Sequence, residues 1–101
     1  MLSMIRNRRG TKVVTSAFED AGLPPAEVAV LETKTLLMIE LTDILDATGM
    51  TQAQAAKRFG VTQPRVSDLR RGKIGNFSVD TLIGMLARTG RDVQLVVRRR
   101  R

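Results

Sequence analysis

Apolar residues recur at helical spacing through four stretches of this chain, separated by glycine, proline or capping residues. Leu37, Leu41, Ile44, Leu45 and Thr48 form one stripe, and Val28 and Leu31 carry it backwards. Leu23-Pro24-Pro25 marks its entry, because proline suits the first helical turn, and Gly49 marks its exit. The spacing therefore predicts a helix from about Pro25 to Thr48. Thr33-Lys34-Thr35, in its middle, fits either a break or a continuous helix. Ala55, Ala56 and Phe59 predict a second, short helix behind a Thr51 N-cap, with Gly60 at its end and Val61 as a buried plug in the turn. Thr62 is the next N-cap, Val66 and Leu69 are the inward residues of a third helix, and Gly72 stops it. Lys73 to Phe77 reads as a loop. Ser78 then caps a fourth helix with Leu82, Ile83, Met85 and Leu86 inward, closed by Gly90.

Beyond Gly90 the period changes. Asp92-Val93-Gln94-Leu95-Val96-Val97-Arg98 places Val93, Leu95 and Val97 on one face, which predicts a C-terminal β-strand. A strand after a helical domain needs a partner for its backbone groups. Two are available: the same strand of a second copy, or Thr11–Thr15, the one stretch near the start that reads as a short strand. The chain thus divides into a basic, partly flexible segment (1–22), a helical domain (23–91) and a strand with an arginine tail (92–101). Phe18 and Leu23 are the residues that would anchor the first segment.

The second and third helices carry the most specific spacing. With Gln52 as the first position, Ala56 is fifth, Gly60 ninth, Val66 fifteenth and Leu69 eighteenth. Two helices that cross steeply at close range need a small residue at the crossing. The sharp turn needs the glycine, and the inner face of the second helix of the pair needs the two aliphatics. Pro64 falls in the first turn, where its missing N–H removes no hydrogen bond. This is the pattern of a helix-turn-helix, which sets its second helix in the major groove of DNA. A purely structural helical hairpin is the competing account.

The outward face of the third helix decides between them. It offers Gln63, Arg65, Ser67, Asp68, Arg70 and Arg71, with Lys73 just beyond. Glutamine pairs bidentately with adenine, arginine with guanine, and serine is permissive. Gln52 and Gln63 each open a helix, so Gln52 is placed to bond a phosphate and brace Gln63 against a base. Asp68 reads as an ion-pair partner or a helix-dipole feature, and not as a base reader.

Composition narrows the field further. The chain has no cysteine and no histidine, which removes disulfides, thiolate nucleophiles, histidine acid–base chemistry and nearly all zinc sites. No glycine-rich phosphate loop and no paired-carboxylate motif stands out, so a non-enzymatic role without cofactor or metal is expected. No apolar run approaches the roughly 20 residues of a membrane span. Met1–Ile5 is too short for a signal segment, so a cytoplasmic, nucleoid-associated location is expected. Net charge is +7, but unevenly placed. Glu19–Met50 carries seven acids and one base, whereas Thr51–Lys73 carries six bases and one acid. Arg6, Arg8, Arg9 and Lys12 lie near the start and Arg98–Arg101 end the chain. Such clustering is an electrostatic footprint for a polyanion.

At this point the sequence resembles a known family. Leu-Pro-Pro-Ala-Glu from residue 23, the run from Met50 to Lys73, and Phe-Ser-Val-Asp-Thr-Leu from residue 77 look like small XRE/Cro-type regulators. More narrowly, they are similar to an antitoxin-like subgroup related to HigA. The resemblance covers about Phe18 to Val97. It implies a mostly α, lambda-repressor-like bundle of four to five helices, here with a C-terminal strand. It also implies a homodimer on double-stranded operator DNA, with Gln52, Gln63, Pro64, Arg65 and Ser67 at the DNA-facing positions; Thr62, Arg70, Arg71 and Lys73, at the ends and on the outward face of the third helix, complete the candidate DNA-binding set. A RelE/HigB-like toxin is the further partner it implies, with repression of a shared promoter. The alternatives are a stand-alone regulator, an interaction protein that mainly neutralises a toxin, and an RNA-binding or nucleoid-type protein held by its arginine tails.

Overall fold

The computed structural model describes residues 2–6, 12–16 and 22–99. Strands β1 (Leu2–Arg6) and β2 (Lys12–Ser16) pair antiparallel, with Leu2 opposite Ser16 and Arg6 opposite Lys12. Helix α1 spans Pro25–Thr48, α2 Gln52–Phe59, α3 Gln63–Arg70 and α4 Val79–Ala87, and a single 3₁₀ turn covers Ile74–Asn76. β2 lies against α1, and α1 packs on α4 across the core. Among the described residues the architecture is therefore mostly helical, with four α-helices.

Helix α1 starts behind Pro24 and ends at Gly49, whose φ of 65° is the left-handed conformation that lets its N–H return to the Leu45 carbonyl. It runs unbroken through Thr33-Lys34-Thr35. Thr33 and Thr35 donate their hydroxyls to the Ala29 and Leu31 carbonyls one turn back, so both satisfy themselves within the helix. Val28, Leu37, Leu41, Ile44 and Leu45 are buried as the stripe predicts, and Met38 joins them. Thr48 is a correction: it is exposed, and its hydroxyl donates back to the Ile44 carbonyl.

Helix α2 opens with a reciprocal cap. The Thr51 hydroxyl accepts from the Gln54 N–H, and the Gln54 side chain accepts from the Thr51 N–H. Ala55, Ala56 and Phe59 are buried, and Ala56 accepts at its carbonyl from the Val61 N–H as the chain turns. Val61 is half-buried against the core, not fully enclosed. Val66 and Leu69 of α3, Phe77 of the loop, and Leu82, Met85 and Leu86 of α4 complete the centre, while Ile83 is only partly covered. Ser78 caps α4 through the Thr81 N–H.

The ends of the chain differ from the sequence expectation. Residues 2–6 supply a strand that the polar, basic character of the start concealed, so the segment 1–22 holds a β-hairpin. Phe18, the expected anchor, lies outside the described residues, as do Arg8, Arg9, Arg100 and Arg101. The expected C-terminal strand over 92–98 is absent: residues 91–99 have no regular structure. The physical reason is the lack of a ladder. Strand 12–16 has β1 as its neighbour, and a single segment without a neighbour forms no inter-strand hydrogen bonds. Val93 is half-buried against the core, but Leu95, Val96 and Val97 are 74%, 73% and 95% exposed.

Candidate nucleic-acid interface

Two short helices present the candidate surface. Both have their inner faces fixed by the core, α2 through Ala55, Ala56 and Phe59, and α3 through Val66 and Leu69. What remains of α3 faces solvent: Gln63, Pro64, Arg65, Arg70 and Arg71 are exposed, and Ser67 and Asp68 are half-buried. Gln52 is the exposed first residue of α2, and Gln63 is the exposed first residue of α3. Thr62 and Lys73, at the two ends of α3, are exposed as well. The structure therefore gathers the sequence-predicted residues onto the start of α2, the free side of α3 and its exit.

The N-terminus of α3 differs from those of α2 and α4. Thr62 stands at the cap position with extended backbone, φ −82° and ψ 160°, yet its hydroxyl makes no capping bond. Thr51 and Ser78 each accept a first-turn N–H through the side chain, from Gln54 and Thr81. Pro64 removes one of the amides of the first turn. The Arg65 N–H donates to the Thr62 carbonyl at 3.1 Å, so this helix start is closed by backbone bonds alone and lacks the side-chain cap of the other two.

Several side chains on this surface are held from elements that the sequence did not implicate. Arg65 donates through Nη1 to the Asn76 carbonyl, and its guanidinium lies over the Phe77 ring. Asn76 in turn donates from Nδ2 to Asp68 at 3.2 Å, and Lys73 stands 4.0 Å from the same carboxylate. Asp68 therefore knits the exit loop to α3, which agrees with its reading as an ion-pair partner. Arg70 pairs with Asp46 of α1. To touch a phosphate it must exchange that carboxylate for the phosphate oxygens. Arg71 and Lys73 lie beyond this pair, at the end of the helix.

A further contact secures the turn between α2 and α3. Arg88, just past α4, donates from Nε to the Arg58 carbonyl at 3.4 Å. A cation there also complements the negative end of the α2 dipole. The guanidinium occupies the space that a Cβ at Gly60 would take, 2.5 Å from Nε, and Gly60 has a φ of 73°. The sequence named Gly60 but not Arg88. Arg58 and Arg88 are 30 residues apart, and no periodicity links them.

No helix among the described residues is long and apolar enough to cross a membrane. Compared with known proteins, residues 17–98 match a family model described as a helix-turn-helix domain. A solved structure provisionally named an XRE-family transcriptional regulator is 39% identical. The match covers 76% of this chain and 84% of that one, with a TM-score of 0.66. No curated protein matches the chain.

Proposed function

The chain belongs to the XRE-type helix-turn-helix family, and from that we propose a sequence-specific DNA-binding transcriptional regulator, acting as a repressor through α3 in the major groove. The observation that carries this reading is the outward N-terminal half of α3. Gln63 and Arg65 are exposed there, beside an uncapped Thr62 hydroxyl. In this reading Gln63 takes an adenine edge and Arg65 a guanine edge, with Pro64 and Ser67 against the neighbouring bases. Gln52, Thr62, Arg71 and Lys73 hold phosphates, and Arg70 joins them by leaving Asp46. The protein acts as a homodimer on a two-fold operator, with half-sites about one helical turn apart.

Footprinting on the protein's own promoter tests this directly. Gln63→Ala and Arg65→Ala should each lose about 1–3 kcal/mol of discrimination while the variants stay folded. Unchanged protection and unchanged base preference in both would remove α3 as the reader.

Within that reading, the resemblance of Gln63-Pro64-Arg65-Val66-Ser67-Asp68-Leu69 to the HigA-related subgroup supports an autoregulating antitoxin. The acidic run along α1 supports it too, because Glu27, Asp43 and Asp46 are exposed and would complement a basic ribonuclease-like toxin. Co-purification with the product of the neighbouring gene separates this role from that of a stand-alone regulator.

A further inference from the structure

An acid on a helix that meets DNA works against binding. Asp68 stands in the last turn of α3, near the negative end of the helix dipole and on the helix proposed to approach phosphates, so its charge is unfavourable on both counts. The structure shows what its carboxylate does there. Oδ2 accepts from Asn76 Nδ2 at 3.2 Å, and Oδ1 stands 4.0 Å from Lys73 Nζ. The Asp68 carbonyl also accepts from the Lys73 N–H at 3.0 Å. Lys73 and Asn76 of the exit loop are thus both fastened to one residue of α3.

The loop needs this fastening. It is a single 3₁₀ turn with few bonds of its own: the Asn76 N–H donates to the Lys73 carbonyl at 3.1 Å, and the Phe77 N–H to the Ile74 carbonyl at 3.4 Å. Ile74 and Phe77 rest on the core, but Asn76 between them is exposed. Asn76 ends the turn, so its carbonyl has no partner within it. That carbonyl accepts from Arg65 Nη1. Asn76 therefore joins two residues of one helix, Asp68 through its side chain and Arg65 through its backbone. Arg65 and Asp68 are three residues apart, a spacing at which arginine and aspartate side chains are neighbours and attract. Here the loop engages the carboxylate, and a neutral carbonyl engages the guanidinium. A carbonyl steers a guanidinium without cancelling its charge, whereas a carboxylate binds it through stronger, charge-assisted bonds.

We propose that Asn76 and Asp68 are positioning residues for Arg65: the bond between their side chains orients the Asn76 carbonyl, and that carbonyl holds the Arg65 fork toward a guanine edge and away from Asp68. The inference rests on the reading of α3 as the base reader, and it names two residues that set the base preference without touching DNA. Shortening Asn76 to alanine has two effects. The carbonyl loses the tie that orients it, and the released Asp68 oxygen draws Arg65 along the helix. Removing the Asp68 carboxylate has only the first effect, because no acid is left to capture the guanidinium.

Competition anisotropy on the full chain tests this, with the promoter duplex and duplexes altered at the base pair that Arg65→Ala ceases to discriminate. Asn76→Ala should lower the preference at that pair about two- to tenfold, the worth of one hydrogen bond, and leave affinity for a scrambled duplex unchanged. Adding Asp68→Ala to Asn76→Ala should recover roughly twofold, since the competing acid is gone. Asp68→Asn keeps an acceptor for Asn76 and should keep the wild-type preference, whereas Asp68→Ala should not. In an Arg65→Ala background, Asn76→Ala should leave affinity for the promoter duplex unchanged, because it acts only through Arg65. Thermal melting verifies that each variant is folded. Wild-type preference in Asn76→Ala, no recovery in the double variant, or equal loss in Asp68→Asn and Asp68→Ala overturns the proposal. So does a further loss from Asn76→Ala in the Arg65→Ala background, which would mean that Asn76 meets DNA itself. An Arg65→Ala protein that discriminates every pair as wild type does is a separate result: it removes Arg65 as a reader, and the positioning role with it.

Discussion

The guanidinium carbon of Arg65 lies 5.6 Å from the centroid of the Phe77 ring, while Arg65 Nη1 donates to the Asn76 carbonyl. The residue proposed to read guanine is thus steadied from the loop that follows its helix. Guanidinium has five N–H donors, so one bond to Asn76 leaves the fork able to meet a base. Phe77 itself is buried, which makes the ring a rigid platform.

Phe77→Leu keeps an apolar side chain in the core and removes the ring. Leucine is smaller than phenylalanine, so the change also leaves a small cavity and should cost on the order of 1–2 kcal/mol of stability. Loss of a cation–π contact of about 0.5–1 kcal/mol should weaken specific DNA binding roughly two- to fivefold. Arg65→Lys keeps the charge but not the planar fork, so it should lose base preference more than non-specific affinity. Fluorescence anisotropy with specific and scrambled duplexes measures both. A Phe77→Leu protein that binds specific DNA as tightly as wild type would show that the ring has no positioning role.

In the proposed DNA complex, Asp46 would compete with phosphate for Arg70. Their pair bridges α1 and α3 at the surface, where such ion pairs contribute about 0–1 kcal/mol to stability. Asp46→Asn should therefore leave the melting temperature nearly unchanged. It should raise affinity for all duplexes alike, since it frees a cation for phosphate and removes a negative charge beside it. The slope of log affinity against log salt should steepen by about 0.9 for one added phosphate contact. Unaltered affinity and slope would place Arg70 in the fold alone.

The contrast between Leu69 and Arg70 shows what the sequence could and could not convey. Local periodicity marks Leu69 as inward, because its neighbours along the helix supply the information, and the structure buries it. The same logic correctly brackets α1 between Pro25 and Thr48, with a left-handed glycine at its end. The partner of Arg70 lies 24 residues away on another helix, and nothing in either neighbourhood marks the pairing. Asn76 and Arg88 escaped notice for the same reason: each acts on the candidate site through a contact set by the tertiary arrangement. The terminal strand shows a different limit. Alternation in Asp92–Arg98 records which face is apolar, but a strand also needs a neighbour, and a single chain's pattern does not say whether that neighbour belongs to the same molecule.

Acid should weaken the start of α4. A hydrogen bond from the Ser78 side chain, aided by the Asp80 backbone N–H, holds the Asp80 carboxyl below the usual aspartate range. A depressed folded-state value means that this contribution is present above the unfolded aspartate value and is lost as pH falls through the folded one. Ser78→Ala should shift the Asp80 titration upward in carboxyl NMR. It should also lower stability near neutral pH by about 0.5–2 kcal/mol through the lost cap. The gap between variant and wild type should narrow in acid. If Asp80 titrates identically in both proteins, the Ser78 hydroxyl is not the cause of its low value.

Gly60 is constrained twice, by its backbone and by Arg88, and the two constraints can be separated. Its φ of 73° is left-handed, which costs a residue with a Cβ about 1–2 kcal/mol. The nearest obstacle to that Cβ is the Arg88 side chain, and its flexible end can move aside. Moving it breaks the bond to the Arg58 carbonyl, a contact that also complements the α2 terminus. Gly60→Ala should therefore lower the melting temperature by roughly 4–8 °C for each kcal/mol lost. Arg88→Ala alone should cost less, about 0.3–1 kcal/mol, as expected for a surface cation at a helix end. In the double variant the steric part of the Gly60 penalty disappears and the backbone part stays, so the two losses should sum to less than their separate values. Strict additivity would mean that Arg88 moves aside freely and that the left-handed turn alone requires glycine. A Gly60→Ala protein as stable as wild type would refute the strained turn itself, and with it the fixed crossing of α2 and α3 that aims Gln63 and Arg65.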